Sequence, residues 1–160
     1  MNAVEHTASF TLPHSIEQVF PLFTPEGEKL WAPGWDYHNL MDSSEPSEDY
    51  VFLTESHDHA GAEAIWLVKR YEPANGRVAY YRVEPGDKVG VVTVQCTSLE
   101  SGGTKVEVTY RYTPLSEKGQ AFVDDYTSDA HQTFIVHWRE LLMAYFEVAD
   151  GPSTGGSHAR

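Results

Sequence analysis

The residues best equipped for chemistry lie near the end of the chain, where counting back from Trp138 in steps of seven, four and three reaches His131, Thr127 and Asp124. On a helix those positions share one face. A histidine there would be able to shuttle a proton near neutral pH, with the hydroxyl and the carboxylate orienting a bound molecule. Burying such groups without partners costs several kcal/mol. The three therefore meet a ligand, water or one another, or else the helix turns so that Phe122, Tyr126 and Ala130 take the inner side, in a row of i, i+4 steps that runs on to Phe134 and Trp138.

A second set lies on strand-like sequence just before. Tyr110 and Tyr112 share a parity with Val106 and Val108, so their rings face inward and their hydroxyls offer polar handles in an apolar pocket. Trp66, Tyr80, Tyr81 and Arg82 add aromatic surface and one cation, with the parity of the last three open. In an enzyme, His131 would pass the proton while Tyr110 or Tyr112 polarises a carbonyl. In a binding protein, Trp66, Tyr110, Tyr112, Phe134 and Trp138 would cover ligand surface at ~25 cal/mol per Å², with Thr127 and His131 as polar contacts. The second reading is preferred.

His57-Asp58-His59 is the most metal-like string, since both histidines face one side of an extended segment and Glu55 or Glu63 would add an oxygen ligand. It lacks the helical or paired-cysteine spacing of strong zinc motifs and reads as a polar turn, with Gly61 freeing the loop. No metal site is expected. Cys96 reads as a small buried hydrophobe. Phosphate-cradling glycine loops and the nucleophile elbow are absent from the sequence, so no cofactor is expected either.

These groups need elements to hold them. Glu5 to Leu12 alternates, with His6, Ala8, Phe10 and Leu12 on one face, and predicts a half-buried strand. Two short helices follow. Ser15 and Gln18 form a capping box for the first, and Thr24 with Pro25 starts the second, after which Leu30 and Trp31 point inward. His38 to Met41 is a short strand in an acidic, turn-rich stretch. Strands are then predicted over Tyr50 to Ser56, Ala64 to Tyr71, Arg77 to Glu84, Val89 to Ser98 and Thr104 to Thr113, separated by glycine-, proline- and asparagine-bearing turns that imply antiparallel neighbours. Gly90, on an inner parity, marks either a bend or room for a ligand. Ser116 caps one continuous helix to about Val148, and Phe134, Ile135, Trp138, Leu141, Leu142, Tyr145 and Phe146 form its apolar face. At ~30 residues it would span about 45 Å.

The chain has 160 residues, 41% of them hydrophobic, enough for one domain with a real core, over residues 1–150, and a glycine- and serine-rich tail at 151–160. A net charge of -13 repels phosphate backbones and anionic membranes, so nucleic acid is not an expected partner. Leu30 to Val68 holds eight acids and no lysine or arginine, read as a solvated acidic surface. One cysteine forbids an intrachain disulfide, and no signal peptide or membrane-length apolar run is seen, which makes a cytoplasmic protein without membrane insertion the expectation. Nothing fixes the oligomeric state, which leaves room for a homodimer.

Strand, two short helices, antiparallel strands and a long helix together resemble the START-like (SRPBCC) superfamily, which includes polyketide cyclases, the birch-pollen-allergen family and Hsp90-activator domains. The resemblance is carried by Val19-Phe20-Pro21-Leu22-Phe23, by Leu30-Trp31-Ala32-Pro33-Gly34-Trp35 and by Trp138 to Phe146, within Val4 to Asp150. It implies an α+β helix-grip fold, with a curved antiparallel sheet of about six or seven strands around the last helix. It also implies a mostly apolar cavity between them. The function so implied is binding or transport of a small hydrophobic, aromatic or lipid-like ligand. The alternatives are a polyketide cyclase or dehydratase-like enzyme using the same cavity, and an activator-like interaction module that works through the outer sheet face.

Overall fold

The computed structural model describes residues 1–55 and 63–150. His57, Asp58, His59 and Gly61 lie outside the described residues, as does the tail. Seven strands run β1 (Val4–Leu12), β2 (Tyr37–Asn39), β3 (Val51–Glu55), β4 (Glu63–Glu72), β5 (Arg77–Glu84), β6 (Lys88–Ser98) and β7 (Thr104–Pro114). Four α-helices accompany them among the described residues: α1 (Ile16–Val19), α2 (Pro25–Glu28), α3 (Glu117–Asp125) and α4 (Ser128–Asp150). The strands form one antiparallel sheet in the order β1-β7-β6-β5-β4-β3-β2. This is the α+β helix-grip architecture, with α4 lying against the sheet and the short helices after β1.

Alternation makes the sheet two-faced. Along β7, Val106, Val108, Tyr110 and Tyr112 are buried while Lys105, Glu107 and Arg111 face water. The register stacks these inner residues in rows across β5, β6 and β7: Val78, Val94, Val108; then Tyr80, Val92, Tyr110; then Arg82, Gly90, Tyr112. The first row is plain core. Val19 and Phe23 from the segment after β1 and Ile135 and Leu142 from α4 are almost wholly buried in the same apolar cluster. Between Val68 and Arg70 the register slips, and such a bulge bends and twists a strand.

Caps are where the sequence places them. Ser15 N–H donates to Gln18 Oε1 at 3.2 Å, Thr24 Oγ1 accepts from Gly27 N–H at 3.1 Å, and Ser116 Oγ accepts from Gly119 N–H at 3.1 Å.

Three expectations are corrected. The last helix is two helices, because Tyr126 leaves helical geometry (φ -85°, ψ 79°) and Thr127 caps a new one, its Oγ1 accepting from Ala130 N–H at 3.1 Å. Thr127-Ser128-Asp129 is itself a good start signal, a capping hydroxyl followed by an acid at the positive helix end. Leu30 is 59% exposed rather than inward, while Trp31 is buried. Gly90 leaves no ligand room: it pairs in register with Arg82 and Tyr112, and a Cβ there would lie 3.1 Å from the Tyr112 ring. Its missing side chain is the space that ring occupies.

Candidate functional site

Above the core rows the sheet and α4 part, leaving a cavity of about 720 Å³ whose lining comes from α2 and the turn after it, β3 to β7, α3 and α4. All four tryptophans of the chain, Trp31, Trp35, Trp66 and Trp138, line it. Their polar edges are largely tied to the protein. Trp31 Nε1–H donates to the Leu22 carbonyl at 2.7 Å, Trp35 Nε1–H to that of Pro25 at 2.9 Å, and Trp66 Nε1–H to Thr54 Oγ1 at 2.8 Å. Tyr80 does the same, its hydroxyl donating to the Phe23 carbonyl at 2.7 Å. These bonds orient the rings and leave their carbon surfaces to the cavity.

The break between α3 and α4 gives the cavity its far wall. By turning at Tyr126, the chain brings Phe122 and Tyr126 into the lining, where Tyr112 meets them edge-on at 5.1 Å each. Against this wall sits a buried ion cluster. Lys88, 2% exposed, places Nζ 3.1 Å from Glu84 Oε2 and 4.0 Å from the centroid of Phe122. Arg82 also holds Glu84 and lies 5.6 Å from the Trp66 ring centroid. Lys88 reaches Asp87 as well, at 3.6 Å. Ionised groups this deep persist only when paired.

Of the residues expected to form a site, Trp66, Tyr110, Tyr112, Phe134 and Trp138 line this cavity together. Phe134 is 40% exposed and stands at its rim, its ring edge-on to Tyr110 at 5.6 Å. Tyr110 is buried, and its hydroxyl makes no hydrogen bond with a described residue. Burial raises its pKa well above the ordinary phenol value, with the neighbouring charge of Tyr112 adding to the effect, so it stays a neutral donor.

His131 and Thr127 are placed elsewhere. His131 is completely buried behind the lining, with Nε2 3.0 Å from the Val108 carbonyl and Nδ1 2.5 Å from the Tyr126 hydroxyl. A carbonyl only accepts, so Nε2 carries the proton and Nδ1 accepts from Tyr126. Both ring nitrogens are used. Desolvation depresses its pKa, aided by His6 and opposed by the bond to Val108. Thr127 is exposed at its cap, and Asp124 is exposed with Oδ1 accepting from Gln120 Nε2 at 2.9 Å.

One lining residue carries chemistry that periodicity did not single out. Glu28 ends α2, and burial pushes its pKa up to about 8. The residue is half-buried and lines the cavity. Its spacing three residues before Trp31 was the available signal, since the two share a helical face. Among the described residues no group of three or more His, Cys, Asp or Glu side chains is arranged to hold a metal ion, and no helix is long and apolar enough to cross a membrane. Cys96 is buried, its thiol pushed up to about 12 by desolvation.

No family model and no curated protein matches the sequence. Solved structures do. The chain is similar to Ara h 8.0201, with a TM-score of 0.62 at 12% identity, over 90% of this chain and 95% of that one. It is similar to norcoclaurine synthase from Thalictrum flavum in complex with dopamine and hydroxybenzaldehyde, with a TM-score of 0.64 at 8% identity, over 89% and 88% of the two chains. A hypothetical protein of Helicobacter pylori aligns with a TM-score of 0.65 at 14% identity, over 89% and 87%. Sheet order, the long closing helix and these alignments agree: the chain has the helix-grip fold that these solved structures share.

Proposed function

We propose that this chain binds a small, largely apolar molecule in the cavity between its sheet and α4. The observation that carries the reading is that all four tryptophans line the same cavity. Indole rings are the largest apolar surfaces a chain can bury, and here, besides meeting edge-on in the pairs Trp31–Trp138 and Trp35–Trp66, they border a void of about 720 Å³. A ligand that covers them gains roughly 25 cal/mol per Å² of apolar contact. The synthase among the structural neighbours was solved with two aromatic molecules, which suits the same reading.

Tryptophan placement also supplies the test. Nile red titrated into the protein should brighten as it leaves water and should quench or shift the tryptophan emission in the same concentration range. Ala32→Trp, which puts bulk at the cavity mouth, should abolish both signals while leaving the fold intact by circular dichroism. Binding that persists in that variant would place the probe elsewhere and defeat the proposal.

A catalytic reading has one observation in its favour. Glu28, with a pKa near neutrality, and the unpartnered Tyr110 hydroxyl line one aromatic cavity, and proton transfer needs such a pair. A cyclase or dehydratase-like enzyme would therefore work through Glu28 rather than His131, and turnover unaffected by Glu28→Gln would exclude that route. The interaction-module alternative called for an interior without a pocket, and the cavity speaks against it.

A further inference from the structure

Glu28 is the cavity carboxyl that the fold leaves unused. Its carbonyl accepts from the N–H groups of Trp31 and Ala32, at 3.3 and 2.9 Å, which fixes the backbone. Its side chain makes no hydrogen bond or ion pair with a described residue, and desolvation alone shifts its pKa. The titratable groups that feel its charge are Tyr80 from β5 and Tyr110 from β7, both held neutral by burial. Arg82 and Lys88, the cavity's two cations, are both engaged by Glu84, about 13 Å along β5 from the Tyr80 level. From α4, His137 faces the rim beside Glu140, at 3.6 Å. On its own segment, Glu26 is taken by Tyr37 and Lys29.

We propose that the molecule taken into this cavity carries a protonated nitrogen that seats on Glu28, against the ring faces of Trp31, Tyr110 and Trp138. The inference rests on the cavity being a ligand site. Three observations favour a cation over a neutral or acidic ligand. The carboxyl has no cation of its own, so a positively charged nitrogen completes it with a charge-assisted hydrogen bond. Trp31, Tyr110 and Trp138 line the same cavity as Glu28, with Trp31 and Trp138 centroids 5.5 Å apart and Tyr110 6.3 Å from Trp138, and aromatic ring faces attract a cation. Besides Glu28 the described lining holds three acids, Asp36, Glu55 and Glu84, against the cations Arg82 and Lys88, which favours entry of positive charge.

Protons balance as follows. Near neutral pH the empty site holds Glu28 as the acid, and the incoming ammonium converts it to carboxylate, so one proton passes to the buffer for each ligand bound.

Calorimetric titration of the full chain with naphthylmethylamine and with its uncharged counterpart naphthylmethanol, each in two buffers of different ionisation enthalpy, reads affinity and protons together. The amine is expected to bind at least about tenfold more tightly than the alcohol and to release close to one proton near neutral pH. Glu28→Gln should lose both the preference for the amine over the alcohol and the proton release. Equal affinities, absence of proton release in the parent protein, or an amine preference that survives Glu28→Gln would each overturn the inference while leaving the cavity as a site. Binding of neither compound would overturn the cavity reading itself.

Discussion

The Tyr126 hydroxyl lies 2.5 Å from Nδ1 of His131, across the break that separates α3 from α4. His131 Nε2–H continues the chain to the Val108 carbonyl on β7, and His6 Nε2 lies 2.9 Å from the Tyr126 carbonyl. One imidazole thus ties the junction of two helices to the sheet. Because Tyr126 also lines the cavity, the link that breaks the helix is the link that shapes the pocket.

The first prediction concerns acid. Folded His131 has a pKa below the ordinary imidazole value of 6.5, so the unfolded chain binds a proton that the folded chain refuses. Its contribution to stability is complete above 6.5 and is lost as the pH falls below it. Denaturant midpoints measured at descending pH should fall from there, and His131→Phe should remove that part of the slope. The same variant leaves a buried carbonyl and hydroxyl without partners, at a cost of about 1–3 kcal/mol each. Probe binding at temperatures where the variant is folded should survive, since His131 is not in the lining; its loss would return the histidine to the site.

Glu28 titrates with the opposite sign. Its folded pKa of about 8 lies above the ordinary 4.5, so the stability it contributes is full below 4.5 and is lost as pH rises through about 8. Glu28→Gln keeps the shape and removes the ionisation. The variant should match the parent below about pH 4.5 and exceed it increasingly as the pH rises to about 8, by several degrees in melting temperature, at about 2–4 °C per kcal/mol for a domain of this size. Equal melting temperatures throughout the range would mean that the carboxyl ionises freely and is not enclosed.

Much of this was legible before the structure, and the remainder has physical reasons. Strands were legible because alternation such as Val106 to Tyr112 reports a face directly, which placed Tyr110 and Tyr112, while the helical period placed Phe134 and Trp138 on the face toward the cavity. His131 was found as an inward polar group, but its partner is the Val108 carbonyl, and no side-chain pattern marks which backbone group a helix will face. Glu84 and Lys88 escaped because their meeting with Arg82 depends on how the strands pair and on where α3 folds back, and Glu28 escaped because it ends a four-residue helix too short to show a period. Gly90 escaped because its role lies in the ring of Tyr112 on the next strand.

That fold-back of α3 rests on a glycine. A Cβ at Gly119 would stand 1.9 Å from the Asp87 carbonyl oxygen, a contact no rotamer relieves because the neighbour is backbone. In an open helix, alanine for glycine would gain about 1 kcal/mol. Here the clash should win: Gly119→Ala should lower the denaturant midpoint and raise amide exchange over Glu117–Asp125, with the α4 core around Leu142 unaffected. A stabilised variant would mean that α3 is not seated against the turn between β5 and β6.

The cavity's ion cluster sorts by how many partners each change abandons. Glu84 serves both Arg82 and Lys88, and neither cation is well exposed, so Glu84→Gln leaves two charges short of a counter-ion. Breaking a buried pair costs about 3–5 kcal/mol. Lys88→Met is milder, because Arg82 remains on Glu84 and the new side chain keeps the contact with Phe122 that the ammonium now makes at 4.0 Å. Denaturant unfolding should therefore rank the parent first, Lys88→Met second and Glu84→Gln last. The reverse order of the two variants would mean that Lys88 is held mainly by Asp87, and that the polar end of the cavity is organised around the β5–β6 turn rather than around Glu84.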